Sequence, residues 1–111
     1  MQIGFATHGL ERVCQSEKRR IRRWGPQAGP RVGQRLDELR AARSLADLRH
    51  APGSHHELKG DRRGQLAVSV VGTLRLIYRP VVDERSVGAT PGLDWSQVTA
   101  VEILEVEDYH G

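Results

Sequence analysis

The sequence predicts an α+β domain in which two N-terminal helices pack on one face of a small antiparallel β-sheet. Between Thr7 and Arg43 apolar residues recur at helical spacing. Pro52-Gly53 ends that pattern, and from Leu66 onward apolar and polar residues alternate with the period of two that marks strands. Helices first and an antiparallel meander afterwards make an α+β layer arrangement. At 111 residues the chain is expected to form one domain spanning 1–111, with a small core.

Each element has its own signal. Gln2 to Ala6 reads as a short strand with Ile3 and Phe5 on one face. Thr7 is placed to cap a first helix, whose apolar stripe is Leu10, Val13, Cys14, Ile21 and Trp24. Lys18, Arg19, Arg20, Arg22 and Arg23 form its basic outer face. Gly25-Pro26 breaks this helix, and Gly29-Pro30 lies near the start of the second. Val32, Leu36 and Leu39 mark the second apolar face, with Arg35, Asp37, Glu38, Arg40 and Arg43 turned outward. Ser44-Leu45-Ala46-Asp47 resembles a capping box and predicts one further helical turn to about His50, after which Pro52-Gly53 ends helical structure.

The strands follow. Leu66, Val68 and Val70 alternate with Ala67, Ser69 and Val71. Gly72-Thr73 makes a tight turn, and Leu74, Leu76 and Tyr78 alternate with Arg75, Ile77 and Arg79 on the return. If the Leu74 side meets the helices, Arg75 points from the other face. Pro80 weakens the ladder, residues 81–97 form a long irregular connection, and 98–109 is the last strand. Its alternation slips at Ile103-Leu104, as at a bulge.

Composition narrows the function. No apolar run approaches the roughly 20 residues of a membrane span, and no signal peptide is expected at the start. A single cysteine, Cys14, makes no internal disulfide; it sits on the apolar stripe as a small core residue, and a cytoplasmic home is expected. Residues 1–63 hold fourteen Lys and Arg against seven Asp and Glu, whereas 64–111 hold three against seven. One basic half points to a polyanion partner, nucleic acid first. Adjacent histidines in a strand face opposite ways, so His55-His56 make a poor metal pair; no metal or cofactor is expected.

The chemistry concentrates in His55-His56-Glu57-Leu58-Lys59-Gly60-Asp61-Arg62-Arg63-Gly64, in Arg75, and in Asp108-Tyr109-His110. Imidazoles move protons near neutral pH, and fixed cations favour a phosphate that is gaining charge. The phrase from His56 to Gly64, then Leu74-Arg75-Leu76-Ile77-Tyr78, then Val101 to His110, resembles the HigB-type toxins of the RelE/ParE superfamily. So does Arg35-Leu36-Asp37-Glu38-Leu39-Arg40-Ala41-Ala42.

That resemblance implies a RelE/ParE-like fold and a ribosome-associated endoribonuclease that cuts mRNA during translation. It also implies a helix-turn-helix antitoxin as partner. Carried over by motif, the catalytic set is His56, Lys59, Arg75, Tyr109 and His110. By their charge, Lys18, Arg19, Arg20, Arg22, Arg23, Arg62 and Arg63 are expected to bind RNA. His55 precedes the motif and receives no role. Leu66 and Leu74 stand where members commonly carry aromatic residues, which weakens base stacking. Cleavage without metal would proceed by attack of the RNA 2′-OH on the adjacent phosphorus, with His56 and His110 as acid and base in either order. Two other readings remain at this point: a ParE-like inhibitor of gyrase, and a non-catalytic member that only binds its antitoxin or nucleic acid.

Overall fold

The computed structural model describes residues 1–82 and 92–108. Its strands are β1 (Gln2–Phe5), β2 (His56–Glu57), β3 (Leu66–Ser69), β4 (Leu74–Pro80) and β5 (Ala100–Asp108). They form one five-stranded sheet in the order β1-β5-β4-β3-β2. The expected antiparallel meander holds for β3 to β5, and a short β2 that was not expected adds antiparallel to β3, but β1 runs parallel to β5, with Gln2 opposite Ala100 and Phe5 opposite Ile103. The sheet is therefore mixed. The whole helical layer separates β1 from the other strands, so β1 can enter beside β5 in the same sense, as a parallel pair requires of its connection.

α1 (His8–Cys14) and α2 (Glu17–Ala41) supply the helical layer. Thr7 caps α1 through Oγ1, which accepts from the Leu10 N–H at 3.1 Å. The expected single helix from Thr7 to Trp24 is interrupted earlier than Gly25. Ser16 is extended, and its Oγ accepts from the Arg19 N–H, so a new helix starts there. Gly25 is the second break: at φ +94° it bends α2 between 17–24 and 26–41. The two arms fold back on each other. A β-carbon on Gly29 would lie 2.7 Å from Ile21 Cα, and Gly33 lies against the Arg20 guanidinium. The predicted helical hairpin thus forms around Gly25, with Gly29-Pro30 inside its second arm.

Val32, Leu36 and Leu39 of α2 pack with Leu66, Val68, Leu76, Tyr78, Val101 and Ile103 in one buried cluster, so the helices cover one sheet face. Cys14 is buried in it, and burial pushes its thiol up to about 11. Arg35 does not turn outward as expected; it is 4% exposed. Its Nε donates to the Ser69 carbonyl at 2.8 Å, it pairs with Glu38 at 2.9 Å, and Gly53 packs against it. A buried guanidinium is tolerated here because Nε and Nη1 both meet acceptors and one of them is a carboxylate.

The one-turn helix after Ser44 is present as a 3₁₀ turn (Leu45–Leu48); the Ser44 side chain makes no cap bond, and the Asp47 carboxylate, held below its ordinary range, takes backbone N–H groups of both Arg43 and Ser44. Helical structure does not end at Pro52-Gly53: short 3₁₀ turns also form at Gly60–Arg62 and Trp95–Gln97. The bulge expected at Ile103-Leu104 is present, since Ile77 pairs with Glu105 while Tyr78 pairs with Ile103. β4 extends through Pro80, beyond Tyr78, where its pairing with β3 stops and only β5 remains beside it. Among the described residues no helix is long and apolar enough to cross a membrane.

Candidate active site

The sheet face away from the helices is the one that carries the expected chemistry. Its row of facing residues runs His56, Ala67, Ile77, Glu105 across β2 to β5, and the next row runs Ser69, Arg75, Glu107. Ala67 and Ile77 are fully buried there, with Leu58 and Leu104 packed against them. Strand spacings of about 4.8 Å and rises of about 3.4 Å per residue put the His56 and Arg75 backbones on the order of 12 Å apart.

A loop arches over this patch. Leu58 donates its N–H to the Gln65 carbonyl at 2.9 Å, closing the loop at its base. Arg62 reaches across to β5, donating to Glu105 Oε1 at 2.5 Å and to Glu107, with Gln65 Oε1 2.9 Å away. Lys59 and Arg63 are exposed on the same loop. Arg75 is half-buried, and its guanidinium lies along the hairpin, donating to the Gly72 carbonyl at 2.6 Å and that of Leu74 at 3.2 Å.

His56 is exposed, and its Nδ1 lies 2.9 Å from the Ser54 carbonyl. A carbonyl only accepts, so Nδ1 carries hydrogen, and neutral His56 has its lone pair on Nε2. Ser54 is held at φ +57°, a left-handed conformation uncommon for serine, which aims that carbonyl. His55, its neighbour, is buried at 6% exposure. Its Nδ1 lies 2.8 Å from Tyr78 Oη, and its Nε2 has no partner.

Of the expected catalytic residues, His56 and Arg75 thus share a face and Lys59 lies on the loop that crosses it. Tyr109 and His110 fall outside the described residues. Of the expected RNA-binding residues, Lys18, Arg19, Arg22, Arg23 and Arg63 are exposed. Arg20 is not: it donates from Nη1 to the Cys14 carbonyl at 2.5 Å and packs on Gly33, clamping α1 to both arms of α2. Arg62 is engaged by two carboxylates. Arg12, which no motif pointed to, lines a groove between α1 and α2 with Arg19, Arg22 and Arg23 around Gly9 and Val13.

The sequence reading also missed Glu105 and Glu107. Their spacing of two in a strand placed both on Arg75's face. Burial first, then the neighbouring Glu105, raises the Glu107 carboxyl above its ordinary range, while Arg62 pulls it the other way. Among the described residues, no cluster of three or more His, Cys, Asp or Glu side chains is placed to hold a metal ion.

Burial pushes His55 down to about 4 from an ordinary 6.5; Glu38 opposes the shift and Arg35 adds to it. A group whose folded form resists the proton is stabilising above the unfolded value and loses that contribution as pH falls. Stability is expected to drop by about 2–3 kcal/mol between pH 6.5 and 4 from this residue. Urea titrations of wild type and His55→Phe across that window check it; the variant's curve should be flatter by this difference.

No protein-family model matches the chain, and no curated protein matches its sequence. Solved structures do match. A YoeB/ParE toxin from Agrobacterium tumefaciens aligns with a TM-score of 0.61 at 11% identity, covering 99% of this chain and 100% of that one. The YoeB-YefM complex from Staphylococcus aureus aligns with a TM-score of 0.56 at 14% identity, covering 100% and 98%. Its structural neighbours are thus YoeB/ParE toxins, and over nearly its full length the chain has their fold, that of the superfamily its motifs resemble.

Proposed function

We propose that the chain is the toxin of a toxin-antitoxin pair, of the HigB type, and that it cleaves mRNA on the ribosome. The observation that carries this reading is the presence of His56 and Arg75 on one sheet face, with the Lys59 loop arched over it and the helices on the other side. In the proposed reaction His56 Nε2 takes the proton of the 2′-OH, and the freed oxygen attacks the adjacent phosphorus. The P–O5′ bond breaks, leaving a 2′,3′-cyclic phosphate, and the departing 5′-oxygen takes a proton from His110. Lys59 and Arg75 hold the phosphate oxygens as charge builds on them. The tautomer set by Ser54 supports giving His56 the part of base.

Lys18, Arg19, Arg22 and Arg23, joined by Arg12, supply a cationic surface that would bind the polyanionic ribosomal RNA. Among the described residues the four arginines have no ion-pair partner, which leaves their charge for a phosphate backbone. Because one fold neighbour was solved as a complex, the antitoxin partnership has a precedent in this fold. The cytoplasm suits both partners.

One observation favours a second reading. Glu107 stands directly across from Arg75, and Arg62 is already neutralised by two carboxylates, so the face is less positive than its arginine count implies. That would suit a member that binds its partner without cleaving RNA. Induced expression followed by mapping of mRNA 5′ ends separates the two. New ends within translated messages support the nuclease; growth arrest with intact messages supports the binding-only or gyrase-directed reading.

A further inference from the structure

The tripeptide His55-His56-Glu57 is held from both sides in a way that the proposed chemistry does not by itself require. In an extended segment His55 and Glu57 face together and His56 faces away. His55 Nδ1 lies 2.8 Å from Tyr78 Oη, and Trp95 Nε1 donates to Glu57 Oε2 at 3.1 Å. Both aromatic rings belong to the helix-side core, Tyr78 at 0% exposure and Trp95 at 5%. The His55 and Tyr78 rings also meet edge to face, with centroids 5.8 Å apart, and the Arg49 guanidinium lies 4.5 Å over the Trp95 ring. The strand they secure, β2, is only two residues long and lies at the sheet edge. Such a strand frays unless its side chains anchor it.

We infer that His55 and Glu57 are positioning residues for His56, fastening it through Tyr78 and Trp95 so that its ring stands on the opposite face with Nε2 outward. This rests on the proposed nuclease reading for its consequence, but the geometry is independent of it. It explains why two buried aromatics in this core keep a polar atom. It also explains why a histidine outside the family motif is buried beside the one inside it. Tyrosine and tryptophan are buried where their polar tip has a partner, and here each partner flanks the same residue.

The test uses the full chain in four forms: wild type, Tyr78→Phe, Glu57→Ala, and the conservative His55→Asn, whose amide sits where Nδ1 does. Two readouts are taken, ¹⁵N NMR of the His56 ring and the kinetics of translated-mRNA cleavage. Tyr78→Phe and Glu57→Ala should each change the His56 ring signals and lower kcat roughly 10–100-fold at unchanged KM, because a small misplacement of a reacting group is that costly. His55→Asn should keep the wild-type ring signals and most of the rate. If ring signals and kcat are unchanged in both Tyr78→Phe and Glu57→Ala, the inference is wrong. It is equally overturned if kcat, KM and thermal stability all worsen together, since that marks general loosening. If wild type cleaves nothing, the nuclease reading falls, and the ring signals alone decide the positioning claim.

Discussion

Arg75→Ala is expected to lower mRNA cleavage by roughly 10²–10³-fold, the usual cost of removing one preorganised donor to a developing anion. The fold should hardly notice. Arg75 spends its hydrogen bonds on the carbonyls of Gly72 and Leu74, in its own hairpin, where water can replace it. The change in stability should stay within about 0.5 kcal/mol, as for other substitutions away from a buried network. Primer extension on a translated message and a urea melt of the same preparation give both numbers. Glu107, across the ladder from Arg75, makes the outcome informative. If that carboxylate already satisfies Arg75, removal of the arginine changes nothing and the binding-only reading gains.

Arg35→Ala should have the opposite profile, costing about 2–4 kcal/mol of stability because it leaves a buried carbonyl without its donor, opens a cavity and removes the cation of a half-buried ion pair. It would leave the Ser69 carbonyl without its donor and Glu38 without its cation, and it would open space beside Gly53. Against a total of about 5–15 kcal/mol for a chain of this kind, that is a large share. Arg40→Ala is the control, since its contact with Asp37 at 3.5 Å is exposed and should be worth at most about 1 kcal/mol. Equilibrium urea unfolding of the two variants measures the contrast. An Arg35→Ala protein as stable as Arg40→Ala would mean that the buried guanidinium contributes nothing net.

Arg35 also shows what was legible in the sequence. By spacing it lies on the apolar stripe, three residues after Val32 and four before Leu39, yet its charge argued for the outer face. Of the two acceptors that make its burial tolerable, Glu38 is local, but the Ser69 carbonyl lies 34 positions away, and helical periodicity carries no information about it. Local signals did better. The two successive apolar residues Ile103-Leu104 break strand parity wherever they occur, and the bulge lies there. The Thr7 cap and the bend at Gly25 are local too. Pairing of β1 with β5 is not local: nothing in Gln2–Phe5 specifies which strand it will lie beside or in which sense.

The candidate site divides the same way. The motif named His56, Lys59 and Arg75 as candidates, and strand parity placed Arg75 on the far face, where the structure has it. Glu105 and Glu107 were equally available to a parity argument. His55 received no role because it precedes the motif, and only the fold supplies its partner, Tyr78.

The central claim is metal-independent cleavage by the RNA's own 2′-OH, and the ends of the products test it most directly. A translating-ribosome assay in EDTA-chelated, spermidine-supported buffer would disturb the ribosome, so the cut is best mapped on purified complexes with a single 2′-deoxy nucleotide at the cleavage position. The account predicts 2′,3′-cyclic phosphate and 5′-hydroxyl ends on the all-ribose message, and no cut at the deoxy position. Ends bearing 5′-phosphate, or a cut that proceeds without the 2′-OH, would contradict it.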